Sequence, residues 1–548
     1  MDRTQTEHKE REHFFAAAKL VAGLTVLSRI AGMLRAMAVA SLGANAMTDA
    51  FAFAFKIPNL FRRLFAEGAM SSAFVPIFTE TMEEGETGLP KAARLLANAL
   101  GLLALFLVAL MVVLSAGLWA WGVFWPGEAD RQLLILLAVI MLPFMVTISL
   151  LALGSAALNC RGHFAYPAAT PIIMNIIVVA AAWWVAPLWS GNLTAQLEVV
   201  AASVTVAGVV QFVGIFWLLK RTGFALRPRL RPVEPGIRPM LRLMAPMLIG
   251  LGLLQFVELL ETGVGWVLRG KPGETMNLFG WVVAMPLDYG VLQRLDAARY
   301  LYQFPLGVLA ISLGVAVFPL LSRYAARGDM PNLRDSLNRA LRLSLMEGMA
   351  TGTGLYILAE PVTWLLYRRG NFTPADVAQT ADILKMYLLG MWAYCSYQIV
   401  VRAFYAVKDT VTPLKISCAM ALVNLVLVAG LIWIPGLGAS AFGLATAITF
   451  GLNTVAMGYM LRKRWGQMGG RKLALSVGRS LVGCAAMAAA LLLMQRWALN
   501  GARPWLIVTV CVPVGAIVFI AVAFLLRAPE LGELFGPIVE KLRTKKGV

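Results

Sequence analysis

Between Ser28 and Glu67 two apolar stretches carry seven charged side chains: Arg29, Arg35, Asp49, Lys56, Arg62, Arg63 and Glu67. Arg29 and Arg35 stand six residues apart. On a helix that is about 9 Å along the axis and roughly 120° around it, so both can border one cavity at different depths. A guanidinium stays charged at any physiological pH, and its planar fork donates two parallel hydrogen bonds, the geometry a phosphate accepts. The chemistry such a cluster performs is anion binding. Asp49 and Glu67 would hold the arginines in place or pair with them between substrates. A second reading stands for Lys56, Arg62 and Arg63, which could be snorkelling residues at a membrane interface. Further along, QFVELLETG places Glu258 and Glu261 in another apolar run, either as counter-charges or as a proton or sodium site.

The elements that position these residues must be membrane helices. The chain has 548 residues, is 59% hydrophobic and only 14% charged, against about a quarter charged in soluble proteins. Its net charge of +19 is spread through short connections between apolar runs, which is a topology signal and excludes a nucleic-acid-binding domain. Five isolated cysteines and three histidines make neither a disulfide framework nor a metal site. The first residues, MDRTQTEHKEREHFF, read as a polar tail rather than a removable signal peptide. A span needs about 20 apolar residues. That window predicts spans over residues 15–42, 48–65, 91–122, 131–158, 166–187, 196–219 and 239–268, then 299–322, 339–367, 380–406, 412–434, 437–461, 473–496 and 504–527. The fold class expected is therefore an all-α polytopic membrane protein of about fourteen helices. Basic clusters after the sixth, eighth and twelfth spans place those loops, and both termini, in the cytoplasm. Arg368 and Arg369, after the ninth span, run against that pattern.

An internal repeat organises these spans. Asp49 precedes Pro58 by nine residues and Asp296 precedes Pro305 by nine, an offset of 247; ALNCRGHFAYP and AFYAVKDTVTP match at an offset of 246. Duplication predicts a six-helix lobe over 15–219 after a tail over 1–14, a basic linker over 220–238, and a second lobe over 239–461. Two added helices over 473–527 and a tail over 528–548 complete the chain. A cationic cavity between lobes is the expected substrate site, with Pro58 and Pro305 as helix bends that open it. The connection over 269–298 is too broken by Gly and Pro to span and is expected as an amphipathic flap. The last two spans, mostly Leu, Ala, Val and Met, fit either packing or a groove for a long lipid tail. No nucleotide-binding loop, HExxH or GxSxG motif is present, so the chain reads as a transporter and not an enzyme. With no cofactor, transport would draw on a monovalent cation gradient, the membrane potential or the substrate's own gradient.

Several motifs resemble a known family. Ser28-Arg29, Gly32, Arg35, Thr48-Asp49-Ala50-Phe51 and the run Lys56 to Ala69 with Phe74-Val75-Pro76 resemble the MurJ (MviN) lipid II flippases. Gly162-His163-Phe164, Tyr302-Gln303-Phe304-Pro305 and Gly370-Asn371-Phe372-Thr373 continue the resemblance through the second half. The resemblance implies a multidrug/oligosaccharidyl-lipid/polysaccharide exporter fold, with two six-helix lobes and a lipid-tail groove along the last two helices. It implies as substrate lipid II or a related polyprenyl diphosphate glycan, moved between leaflets of the bacterial cytoplasmic membrane. Membrane lipids and cell-wall synthesis proteins follow as partners. Cavity residues carried over by motif are Ser28, Arg29, Arg35, Asp49 and Arg62, with Asn59, Arg63, Glu67, Arg299 and Gln303 around them. The chain departs from the family in having Ala36 where many members have an acid, and Arg299-Tyr300 where members have Asp-Arg. Either Arg299 reaches the cavity from an adjacent face, or the amino-terminal arginines hold the diphosphate with Tyr300 as a hydroxyl donor. A multidrug antiporter of the same fold is the rival, but it would need a cavity led by acids. A membrane scaffold acting through the basic linker is the non-transport alternative.

Overall fold

The computed structural model describes residues 3–65, 70–124, 127–224, 230–271, 273–278 and 280–532, the side chains of 3–19, 70–72, 245–247, 249–251 and 278 excepted. Two compact units divide the chain: Met1–Arg269 with Tyr289–Gln293, and Gly270–Asp288 with Arg294–Val548. Ten helices are long and apolar enough to cross a bilayer, among the described residues, so this is a multi-pass membrane protein.

The first unit contains α1 (Arg3–Ala40), α2 (Ala46–Leu64), α3 (Met70–Met82), α4 (Gly88–Phe124), α5 (Ala129–Cys160), α6 (Ala165–Ala180), α7 (Leu193–Arg221) and α8 (Ile237–Val267). α5 is its centre and packs on α2, α3, α4 and α7. Close approach there depends on small residues: a Cβ at Gly208 of α7 would lie 2.3 Å from Thr147 Oγ1 and 2.7 Å from Phe144 of α5. α8, read from sequence as the start of the second lobe, packs on α2 and α3. α2 starts at a capping box, in which the Asn45 side chain accepts from the Thr48 N–H and the Thr48 hydroxyl from the Asn45 N–H. It remains helical through Pro58.

The second unit opens with a hairpin, Thr275–Leu278 antiparallel to Trp281–Ala284. It continues through α9 (Val291–Val308), whose first residues belong to the first unit, α10 (Ala310–Ala326), α11 (Met330–Ile357), α12 (Ala359–Tyr367), α13 (Pro374–Leu388), α14 (Met391–Ala406), α15 (Val411–Leu431), α16 (Ser440–Trp465), α17 (Gly470–Leu493) and α18 (Pro504–Leu525). α11 packs on α14 and α17, α14 on α10 and α16, and α17 on α18.

Helix α1 runs from Arg3 through the polar tail into the first apolar window, Leu20–Ala40. Three expectations need correction. The span expected at 339–367 is interrupted at Leu358, because Pro361 has no N–H for the Ile357 carbonyl and instead sits in the first turn of α12. The span expected at 380–406 breaks at Gly390, where a Cβ would lie 2.7 Å from the Ala447 Cα of α16. The flap is the β-hairpin, and it is not amphipathic: Trp281 and Val282, on opposite faces, are both exposed. Glu67, Arg227 and Arg229 lie outside the described residues.

Outside the spans, the connection between α14 and α15 is tied to the end of α16. Asp409 accepts from the Thr412 N–H at 2.9 Å, the Thr412 hydroxyl at 2.7 Å and Arg464 Nη1. Burial disfavours its charge, but the Thr412 donors and the Arg464 guanidinium outweigh that and hold the carboxyl at about 2, below its ordinary 3.8. A carboxyl lowered on folding stabilises above its unfolded value and loses that contribution as pH falls through the folded one. Asp409→Asn should therefore lower the melting temperature at neutral pH, by a few degrees at most. The gap to the native chain should close between 3.8 and about 2, which a pH series of thermal unfolding checks.

Candidate functional site

Charged residues of α2 and the partners they meet fall into two groups within the first unit. The first centres on Asp49, in the opening turn of α2 and sealed from water at 0% exposure. Its carboxylate accepts from the backbone N–H groups of Gly290 at 2.7 Å, Leu292 at 2.9 Å and Gln293 at 3.2 Å, and from Arg269 Nη1 at 3.1 Å. Unpaired N–H groups at a helix start form an anion site, and here a side chain fills it. Gly290 is required: its φ is +88°, and a Cβ would lie 2.4 Å from the Ala44 carbonyl. Arg269 also donates to Asp130 through Nη2 and to the Ala46 carbonyl at 3.2 Å, and its guanidinium lies 3.4 Å from the Trp266 ring centroid. Arg269 and Asp130 were missed in the sequence. The available signal was a buried acid at a helix start, which demands a cation.

The second group lies between α2 and α8. Lys56, Asn59, Leu60 and Arg63 of α2 face Gln255, Glu258 and Leu259 of α8 across one cleft. Arg63 Nη1 donates to Gln255 Oε1 at 3.1 Å and to Glu258 Oε2. Arg62 Nε donates to Asn59 Oδ1 at 2.7 Å, so the amide orients that guanidinium. Glu258 is thus paired with Arg63. Glu261, three residues on, is buried.

On α1, Arg35 stands 5.2 Å from the ring centroid of Phe55 on α2. The Ser28 carbonyl accepts from Asn175 of α6 at 3.4 Å, pinning α1 to α6 there. Arg29, the next residue, is half-buried and has no hydrogen bond or ion pair to any described residue. The acids Asp49 and Glu258 are thus engaged by Arg269 and Arg63, while Arg29 keeps its full donor set.

In the second unit, Arg299 donates through Nε to the Tyr387 hydroxyl at 3.0 Å and lies 3.8 Å from Asp296. Tyr302 stacks on Tyr387 with centroids 4.8 Å apart, so Arg299 is set by a tyrosine cluster. Gln303 is exposed. Helix α9 continues through Pro305 to Val308 and turns at Leu309.

Largely helical units with many apolar, membrane-length helices and arginines within them define a multi-pass membrane protein of the transporter kind. In fold the chain is similar to the inward closed conformation of the lipid II flippase MurJ, with a TM-score of 0.73 at 22% identity over 95% of this chain and 99% of that one. It is also similar to an inward-facing multidrug resistance transporter of the MATE family and MOP superfamily, with a TM-score of 0.63 at 12% identity over 82% and 98%. Its sequence matches the family described as lipid II flippase MurJ over residues 38–508. It is 31% identical to a probable lipid II flippase MurJ of Vibrio cholerae over 89% of both chains, and 30% identical to the lipid II flippase MurJ of Burkholderia cenocepacia over 82% and 84%. The chain belongs to the MurJ lipid II flippase family.

Removing one member of a buried ion pair costs about 3–5 kcal/mol, because the other charge stays behind. Asp49→Asn and Arg269→Gln should each destabilise the fold on that scale. The double variant should lose less than the sum of the two, as measured by reversible unfolding in micelles; simple additivity would show that the pair is not coupled.

Proposed function

We propose that this chain moves lipid II, a peptidoglycan precursor linked to undecaprenyl diphosphate, from the inner to the outer leaflet of the bacterial cytoplasmic membrane. The carrying observation is Arg29: a half-buried guanidinium inside an apolar span, with no partner among the described residues. Such a cation is costly unless it meets an anion, and the substrate's diphosphate is an anion matched to its fork. Arg35, oriented by Phe55, and Arg62, oriented by Asn59, supply further donors on the neighbouring helices. Family membership supports the same reading.

The committed acids argue against an organic-cation antiporter. Asp49 and Glu258 already hold arginines, so a cationic drug would compete with a fixed positive charge at either one. In the cycle, the diphosphate seats on Arg29, Arg35 and Arg62 while the isoprenoid chain stays in lipid along α17 and α18. The site opens alternately to the two sides, with Pro58 and Pro305 as bends. Both termini lie in the cytoplasm. No cofactor takes part; each unit charge moved through 100 mV is worth about 2.3 kcal/mol. An inside-negative potential therefore favours departure of the anion and return of the empty cationic site.

The test is replacement of a bacterium's own lipid II flippase by this chain, scoring precursor delivered to the outer leaflet. The native chain should support delivery. Arg29→Ala should reduce it about 10- to 100-fold, the range expected for losing a charged hydrogen-bond donor, with the protein still folded and inserted. Full delivery by Arg29→Ala would remove that residue from the mechanism. Delivery of a different polyprenyl diphosphate glycan by the native chain, and not of lipid II, would reassign the substrate.

A further inference from the structure

α11 of the second unit contains a carboxyl that nothing above uses. Glu347 lies about 26 Å along the axis from Met330 and about 15 Å short of Ile357, well inside the helix. Its Oε2 is buried and accepts no hydrogen bond from any described residue. Three other acids of this unit have cations: Asp376 pairs with Arg294 at 3.1 Å, Glu530 with Arg342 at 3.1 Å, and Asp296 with Arg299 at 3.8 Å. Arg342, the cation of α11 nearest in sequence, is thus already committed to Glu530.

The seam beside Glu347 is tight. A Cβ on Gly348 would stand 2.9 Å from the Met391 carbonyl oxygen and the Trp392 Cα of α14, and 3.1 Å from the Cys395 Cβ. At Gly352, one turn further, the Met391 Cβ and the Leu388 carbonyl lie at 3.0 and 3.1 Å. Backbones this close leave no room for water between α11 and α14. The titratable group facing Glu347 from α14 is the Cys395 thiol, which cannot neutralise a carboxylate. Arg402, lower on α14, donates to the Gln398 and Ile311 carbonyls. On α13, Asp382 and Lys385 pair with each other and Tyr387 with Arg299. On α17, Cys484 bonds Thr353, and Lys472 lies near Asp335. Arg471 and Arg479 of α17, Arg323 and Tyr324 of α10, Glu360 and Tyr367 of α12, and Cys511 of α18 make no hydrogen bond or ion pair with Glu347. Glu347 itself is half-buried, and a carboxylate with one buried oxygen that meets no donor is penalised in its charged form, a penalty that a bound proton relieves.

We propose that Glu347 is a proton-binding site: protonated in the arrangement seen here, and ionised in an arrangement that parts α11 from α14 and admits water. The transport cycle then carries a proton. Inward proton movement and outward movement of an anionic headgroup both follow an inside-negative potential. This coupling rests on the reading of the chain as a flippase; the protonation of Glu347 does not.

The experiment is infrared difference spectroscopy of the full chain in lipid, native minus Glu347→Gln, titrated from mildly acidic to alkaline pH. A protonated carbonyl band at neutral pH, shifted by deuterium exchange and bleached on alkalinisation, is expected; its absence from the difference would overturn the site. Glu347→Gln mimics the neutral form and should fold like the native chain, and Glu347→Met provides a second subtraction. In the replacement assay, native delivery should fall at alkaline pH and Glu347→Gln should flatten that profile. Identical profiles would overturn the coupling alone. The infrared arm needs no substrate, so a native chain that folds but delivers no lipid II would sink the flippase reading and leave the proton site standing.

Discussion

Low dielectric sets the terms for every charge in this protein. Inside a bilayer-spanning bundle a charged group either finds a partner, loses its charge, or waits for a ligand. Asp49 shows the first outcome in full, with three backbone N–H groups and one guanidinium around a carboxylate at 0% exposure. The start of α2, the end of α8 and the segment 289–293 are arranged around that one group. Loss of any donor would leave a buried charge under-compensated.

The same rule sorts the remaining charges by their neighbours. Arg63 with Glu258, and Arg294 with Asp376, are held by opposite charges, which ties together the helices that carry them. Arg299 is held by Tyr387 and Asp296. Arg29 stands apart from these, as Glu347 stands apart from the paired acids of the second unit. Their positions follow from packing: Ser28 is drawn against Asn175 of α6, and Gly348 brings α11 backbone to backbone against α14. Each leaves one charge-bearing side chain beside a close contact, with no neutralising partner among the described residues.

Much of the fold was legible along the chain, because an apolar run of bilayer length can only be a helix. The apolar runs of α4, α5, α7, α15, α16, α17 and α18 could be read without any partner, and so could the charge-rich character of α2. The motifs that mark the family are local too, from Ser28-Arg29 to Phe74-Val75-Pro76. The interruptions at Leu358 and Gly390 were harder. The first needed the position of Pro361 within a turn, and the second the approach of Ala447 from another helix. The hairpin at 275–284 is too short and too apolar for an alternating pattern to show.

What the sequence determined by itself is the class of protein and the inventory of charges, since hydropathy and residue type are properties of single positions and short windows. Which charge meets which was decided only by the tertiary structure. Asp49 and Arg269 are 220 residues apart, Arg63 and Glu258 195 apart. An ion pair forms over a few ångströms, and no local pattern records which distant side chain will be brought within that reach.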